Sequence, residues 1–455
     1  MEFNKEKDKI LFIDLPPTFI GKKNIHYSKN GINYLRAYLN KHNIKTDVFI
    51  LKYDYLTELY NKYMMTTISA SHKLINNEEH DNNLLEELKK SFLPKLNDYN
   101  VLAFSLFSYN SYMVFKRLYN ILAKEIDLNK FKLLIGGNYM RFKSDLSEFE
   151  KYDAKVCNTF GELFFQELYD LSEPGFFENI QLIDYEEKLK YKILNELICI
   201  EMTEGCVNKC CYCVNTIRKE KVHFRDFDKC VEEITYYVSN GVKNFYINTE
   251  NFGNHYGKSN EFIDKLLTIK KKFNWLVPFS PFNEHKKSYK ELDYYKLKKS
   301  GCSILIIGVE SLSETVRDKM YIPKYTNKDF EEFCEHIKPH NIKLELNFIF
   351  CFYNETNEDF EEAFNNLDNF LSKYRELIHN IAIIHYNTVQ DEENGFWGPE
   401  QIPITYDENG HWYHGDNTYE VRRKRWLKAR TLLKKHDFGA GKKTLTQEDN
   451  DIIIL

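Results

Sequence analysis

Short apolar runs alternate along this chain with stretches in which apolar residues return every third or fourth position. Residues 9–15 (Lys-Ile-Leu-Phe-Ile-Asp-Leu) are apolar and are stopped by Pro16-Pro17, as expected of a buried strand ended by residues that cannot continue a ladder. A helix is predicted over 31–41, with Ile32, Leu35 and Leu39 on one face, and a second buried strand over 46–51. Helical patterning around 84–96 leads to a strand at 101–107, a helix at 113–126, a strand at 132–135 running into Gly136-Gly137, and a short strand at 154–157. Strands alternating with helices at this rhythm predict a parallel sheet with helices on both faces, whose ligand site lies beyond the carboxyl ends of the strands. The loops there carry Pro17, Ser105 and the pair Gly136-Gly137, which lets backbone approach a ligand closely.

The alternation resumes after a charged stretch containing Pro174-Gly175. Strands are predicted at 197–200, 244–248, 275–282, 302–307, 343–350 and 380–384, with helices at 227–238, 289–300, 327–337 and 359–371. From residue 390 the pattern changes to Gly, Pro and aromatics, and Asp407-Glu408-Asn409-Gly410 between aromatic runs predicts a hairpin turn. Trp397, His411, Trp412, Tyr413 and His414 are candidates either to close over a substrate or to pack as a small satellite core. The run Arg422-Arg423-Lys424-Arg425-Trp426 opens a basic helix, read as a solvated face.

Composition narrows the picture only slightly. A length of 455 residues allows two or three domains with sizeable cores, and hydrophobic content of 43% is ordinary for a globular protein. No apolar run approaches the roughly 20 residues of a membrane span, and the charged start has no secretory apolar core behind it, so the expected location is the cytoplasm. A net charge of -5 gives no global reason to expect a nucleic-acid partner. Ten cysteines without a secretion signal are expected to be reduced thiols or metal ligands.

Cys206, Cys210 and Cys213 stand at the spacing Cys-x-x-x-Cys-x-x-Cys, just after the predicted strand at 197–200. A closed zinc site needs four protein ligands, and nothing nearby supplies the fourth at finger-like spacing. A 4Fe-4S cube held by three thiolates keeps one iron open for a cofactor. Cys211 offers a rival triplet with a tighter bite, and is read as a packed or spare thiol. A non-catalytic zinc or electron-transfer protein remains the alternative from these residues alone.

The triplet, with the aromatic Tyr212 before its last cysteine, resembles the signature of radical S-adenosylmethionine (SAM) enzymes. In that family the open iron chelates SAM, and an electron from the cluster cleaves it to a 5′-deoxyadenosyl radical that abstracts hydrogen. The resemblance implies a partial (β/α) barrel, Tyr212 beside the adenine, and Asn248, Thr249 and Glu250 at the second strand end facing the SAM amino group, although the family's glycines are missing there. The stretch Gly301-Cys302 through Gly308-Val309-Glu310-Ser311 is similar to the fourth strand of the cobalamin-linked class, which implies that Glu310 and Ser311 face the ribose or methionine part of SAM. Asn347 is a further cofactor candidate, and His385 and Tyr386, after the last strand, are candidate catalytic groups at the barrel mouth. Of the family's Gly-x-Pro-Gly-Glu-Thr, the segment from Cys351 keeps only Glu355-Thr356.

The first sheet resembles the Rossmann-like cobalamin-binding domain that precedes many such cores, with Ser105, Gly136-Gly137 and the pair Gly161-Glu162 in the expected places. There is no Asp-x-His-x-x-Gly, so that cobalamin would lack a histidine on its lower face. The expected fold class is α/β: a doubly wound parallel sheet over 1–175, a linker at 176–195, a radical SAM partial barrel over 196–390, and a capping segment over 391–455.

The resemblance implies a cobalamin-dependent C-methyltransferase with a 4Fe-4S cluster, SAM and cobalamin as cofactors. It acts on an unactivated carbon of a small-molecule or peptide precursor in natural-product biosynthesis, and takes electrons from an external donor such as flavodoxin or ferredoxin. The alternative keeps the radical core and performs a cyclisation, epimerisation or rearrangement. A tRNA methylthiotransferase is disfavoured, since those enzymes carry three further N-terminal cluster cysteines and only Cys157 and Cys199 precede the motif here.

Overall fold

The computed structural model describes residues 2–15, 30–51, 78–106, 109–141, 146–159, 161–171, 197–213, 221–282, 288–320, 322, 325–383, 405–407 and 411–438. The chain divides into two units, Met1–Leu194 and Asn195–Leu455. Of the predicted site residues, Pro17, His385 and Tyr386 lie outside the described residues, as does the 176–195 linker.

In the first unit, β1 (Lys9–Asp14), α1 (Asn30–Lys41), β2 (Lys45–Ile50), α2 (Glu78–Ser91), β3 (Val101–Ser105), α3 (Tyr109–Glu125), β4 (Lys132–Gly136), β5 (Ala154–Val156) and α4 (Gly161–Tyr169) follow the expected alternation. All pairings are parallel, in the order β2-β1-β3-β4-β5, so the winding reverses between β1 and β3. The continuous apolar runs have a direct cause, which is that both faces of the sheet are buried. Leu11, Ile13, Leu102, Phe104, Leu133 and Ile135 pack on one side with Leu84, Leu88, Leu118 and Leu122 of α2 and α3. Ile10, Phe12, Val101, Ala103 and Leu134 pack on the other with Ile32 and Leu39 of α1 and Phe165 of α4. At the amino-terminal edge the buried Asp8 carboxylate accepts from Lys132 Nζ at 2.6 Å, Tyr169 Oη at 3.0 Å and Asn100 Nδ2 at 3.0 Å.

The second unit contains β6 (Leu197–Glu201), β7 (Thr203–Glu204), β8 (His223–Phe224), α5 (Phe227–Ser239), β9 (Asn244–Asn248), α6 (Tyr256–Leu266), β10 (Asn274–Pro278), α7 (Tyr294–Lys299), β11 (Cys302–Glu310), α8 (Glu314–Lys319), α9 (Asn327–Ile337), β12 (Lys343–Phe348), α10 (Asn357–Tyr374), β13 (Ile378–Ile383), β14 (Thr405–Tyr406), β15 (Trp412–Tyr413) and α11 (Tyr419–Lys435). Six parallel strands stand in the order β13-β12-β11-β10-β9-β6, the sequential order of an open (β/α) barrel. Capping boxes start α9 at Thr326 with Asp329 and α10 at Thr356 with Asp359. The predicted hairpin is present as the antiparallel pair β14–β15, with Thr405 opposite Tyr413.

Two readings of the pattern are corrected. Helices α6 and α8 were not anticipated: α6 is capped by the His255 side chain, an uncommon cap residue, and carries Gly257 in its first turn. The basic helix α11 is not a simple solvated face. Arg423 and Lys424 are exposed, but Arg422 and Arg425 are buried, because each finds fixed oxygen acceptors in the fold.

Candidate active site

The cysteine loop leaves β6 at the carboxyl edge of the open barrel. It is pinched at its base by the ribbon β7–β8, which pairs Thr203 with Phe224 and Glu204 with His223. Gly205 is required there: its φ is +89°, and a Cβ would lie 2.6 Å from the Lys221 carbonyl oxygen. Asn254, a residue the pattern did not single out, fastens the loop to the turn after β9. Its Nδ2 donates to the Gly205 oxygen at 3.0 Å, and its Oδ1 accepts from the Val207 amide at 3.2 Å. The Thr203 and Thr249 hydroxyls hydrogen-bond, and the Asn251 amide donates to Thr249 Oγ1 at 3.3 Å.

Cys210 is buried, and Cys206 and Cys213 are half-buried. Burial pushes the Cys206 thiol up to about 12, with Cys213 and Glu250 adding to the shift, and Cys210 is raised by burial and by Cys213, Glu310 and Cys206. The three thiols therefore share one electrostatic neighbourhood, and a metal centre would relieve the repulsion by displacing their protons. Among the described residues no three Cys, His, Asp or Glu groups converge on the position of a single ion. Thiolates that each hold a different corner iron of a cube have no need to converge in that way, and three of them leave the fourth iron open. Cys211 is packed away: its amide donates to the Met320 oxygen at 3.0 Å and its thiol to the Lys319 oxygen at 3.7 Å.

Two strand-end carboxyls face this loop electrostatically. Glu250 Oε2 is buried with no hydrogen-bond partner among the described residues, and burial, helped by Glu204 and Glu201, lifts its carboxyl to about 7. An orphaned acceptor of this kind matches a cationic donor, which is what an ammonium group offers. Glu310 sits at a bulge of β11 with a left-handed φ of +63°. Its carboxyl, raised to about 7 by burial, hydrogen-bonds Tyr212. The glycine of Gly308-Val309-Glu310 now has a reason, since a Cβ at Gly308 would collide with Glu310 Oε1. Ser311 is engaged within the protein: its Oγ accepts from the Ser313 amide at 3.1 Å and its carbonyl from Arg317 Nη1 at 2.6 Å.

On the inner wall, Asn248 donates to Glu201 across β9 and β6, Asn380 hydrogen-bonds Glu345 across β13 and β12, and Asn347 Oδ1 is buried without a partner among the described residues. Glu201, Glu345 and Asn380 were not singled out from the sequence. The available signal was a charged residue inside an otherwise apolar strand. In the first unit, the register sets Asp14, Ser105 and Gly136 in one row at the carboxyl edge of the sheet. Gly137, at φ +107°, is needed by packing, because a Cβ would lie 2.5 Å from the Leu106 oxygen.

Residues 200–367 match the family model of the Radical SAM superfamily, so the chain carries a radical SAM domain, a domain that implies a 4Fe-4S cluster and SAM. The ribosomal protein uS12 methylthiotransferase RimO of Clostridium botulinum (strain Eklund 17B / Type B) is 28% identical over 200 residues. A tRNA-2-methylthio-N(6)-dimethylallyladenosine synthase of Lachnoclostridium phytofermentans (strain ATCC 700394 / DSM 18823 / ISDg) is 27% identical over 188 residues. The match spans only 43% and 40% of those two proteins. Among solved structures, the radical SAM methyltransferase TsrM from Kitasatospora setae with tryptophan and a SAM analogue aligns over 94% of this chain and 89% of its own (TM-score 0.59, 12% identity). The cobalamin-dependent SAM radical enzyme OxsB, with aqua-cobalamin and SAM, aligns over 94% of this chain and 56% of its own (TM-score 0.56, 15% identity). At these identities the likeness is one of fold.

Proposed function

We propose that this chain is a cobalamin-dependent radical SAM enzyme that C-methylates an unactivated carbon of a small-molecule or peptide precursor in natural-product biosynthesis. The observation that carries the reading is that one chain joins a 2-1-3-4-5 doubly wound sheet to an open barrel with a three-cysteine loop, a combination it shares in fold with TsrM and OxsB over 94% of its length. Cys206, Cys210 and Cys213 would hold the cluster and leave one iron for SAM. Glu250 would accept from the SAM ammonium through its orphaned oxygen, Tyr212 would lie along the adenine, and Glu310 and Ser311 would border the ribose. Ser105 and Gly136-Gly137, with Pro17, would border cobalamin, and Asn347, His385 and Tyr386 would line the approach to the substrate. When bound, the cluster supplies the electron that cleaves SAM and cobalamin supplies the methyl group. The protein's part is to orient both and keep water from the radical. The reducing electron would come from an external donor of the flavodoxin or ferredoxin kind.

The test is anaerobic reconstitution with iron, sulfide and cobalamin, followed by product mass analysis. The expected result is bound cobalamin and a product heavier by one methyl group. Bound cluster without cobalamin, and a product of unchanged mass, would assign a rearrangement, cyclisation or epimerisation instead. The two curated relatives favour a methylthiotransferase as the second reading, and a product heavier by a methylthio group would establish it.

A further inference from the structure

The segment beyond the family match is joined to the cysteine loop through one core. Trp412 of β15 belongs to the apolar cluster that contains Cys210, Val316, Met320, Ile322, Ile349 and Phe352, with Cys211, Tyr212, Cys213 and Tyr353 packed against it. Trp412 is 2% exposed, and its Nε1–H is buried with no hydrogen-bond partner among the described residues. Leaving a buried donor unpaired costs about 1–3 kcal/mol, so such a group calls for an acceptor.

The ring is also held firmly. The Arg422 guanidinium lies 3.3 Å from the centre of the Trp412 ring, and Arg422 donates from Nη2 to the Trp412 oxygen and from Nη1 to the Asn417 oxygen, each at 2.7 Å. Arg425 Nη1 pairs with Glu355 Oε2 at 3.2 Å, and the same oxygen accepts from the Cys351 amide at 2.8 Å. Cys351 takes a left-handed φ of +78° at the place of the family's first glycine, and its thiol donates to the Arg422 oxygen at 3.4 Å. Asn417 Nδ2 donates to the Phe352 and Tyr353 oxygens at 2.8 and 3.0 Å. The loop after β12, the hairpin and α11 thus form one hydrogen-bonded block.

Resting on the cluster reading above, we propose that Trp412 is a positioning residue of the cluster site, and that its indole N–H donates to a sulfur of the cluster or of a ligating thiolate. Sulfide and thiolate are the acceptors that a bound cluster would bring into this apolar surrounding. A hydrogen bond to a cluster sulfur favours the reduced, more negative state, and so raises the reduction potential.

The Trp412→Phe variant keeps an aromatic ring and removes the N–H. After anaerobic reconstitution, both proteins are assayed for iron and sulfide and titrated under electron paramagnetic resonance. The expected result is equal cluster content and a more negative midpoint potential in Trp412→Phe. Equal content with an unchanged midpoint overturns the proposal. If Trp412→Phe fails to retain a cluster, the measurement passes to the native sequence carrying indole-15N tryptophan. A 15N coupling to the reduced cluster that persists in Trp426→Phe upholds the proposal, and its absence overturns it. If the native chain itself assembles no 4Fe-4S cluster, the cluster reading fails, which is distinct from a native cluster to which Trp412 does not donate.

Discussion

The four neighbouring cysteines separate by environment. Cys211 is turned toward the Lys319 carbonyl, whereas Cys206, Cys210 and Cys213 influence one another's ionisation. Cys213→Ala is therefore expected to reduce iron in the reconstituted protein to background, and Cys211→Ala to leave it near the native content, as read by iron and sulfide assay. Gly308→Ala would drive a methyl group into the Glu310 carboxyl. If Glu310 borders SAM as proposed, displacing that carboxyl is expected to weaken SAM binding about tenfold or more, equivalent to about 1.4 kcal/mol, measurable by equilibrium binding to the reconstituted protein. Glu345 gives a stability test. Burial raises its carboxyl above the ordinary value against the pull of the Asn380 hydrogen bond. A raised folded-state value means that its contribution is complete in acid, below the unfolded-state value, and is lost as pH rises through the folded-state value. Glu345→Gln should gain melting temperature relative to the native chain as pH rises above the ordinary carboxylate range, and a difference that stays constant with pH would refute the assignment.

At the scale of elements, the helix α11 shows how charge and burial are reconciled. Arg425 is buried with Glu355, so Arg425→Ala would strand a carboxylate and is expected to cost about 3–5 kcal/mol, whereas exposed Arg423→Ala should lie within about 0.5 kcal/mol. Thermal or denaturant unfolding distinguishes them. The basic run looked like a solvated stripe because sequence shows charge and periodicity, while the acceptors for Arg425 come from Glu355 and Asn357, far along the chain, and those for Arg422 are the Trp412 and Asn417 carbonyls, which the hairpin and the turn before α11 must first bring over it. Helix α6 escaped for a related reason: its apolar positions Phe262, Ile263 and Leu266 are at helical spacing, but its glycine and histidine cap carry no conventional start signal.

For the whole molecule, the division into Met1–Leu194 and Asn195–Leu455 puts the cysteine loop and Trp412 in the same unit. Residues 195–455 expressed alone are expected to reconstitute with iron but to bind no cobalamin, while the full chain binds both. Absorption spectroscopy and metal analysis check this outcome, and cobalamin retained by 195–455 would contradict the proposed cobalamin site. Among the described residues no helix is long and apolar enough to cross a membrane.

Local chemistry made much of this protein readable from its sequence. Buried parallel strands must be continuous apolar runs, and cysteine spacing on a short loop limits what it can bind, so the two α/β units and the cysteine triplet were legible. Tertiary structure decided what depends on distant partners. It placed Asn254 on the loop carrying Gly205, left the Glu250 oxygen without a donor among the described residues, and buried Trp412 in the same core as Cys210. None of these is encoded at short range, because a hydrogen bond or a void joins residues that the backbone brings together only after the sheet has formed.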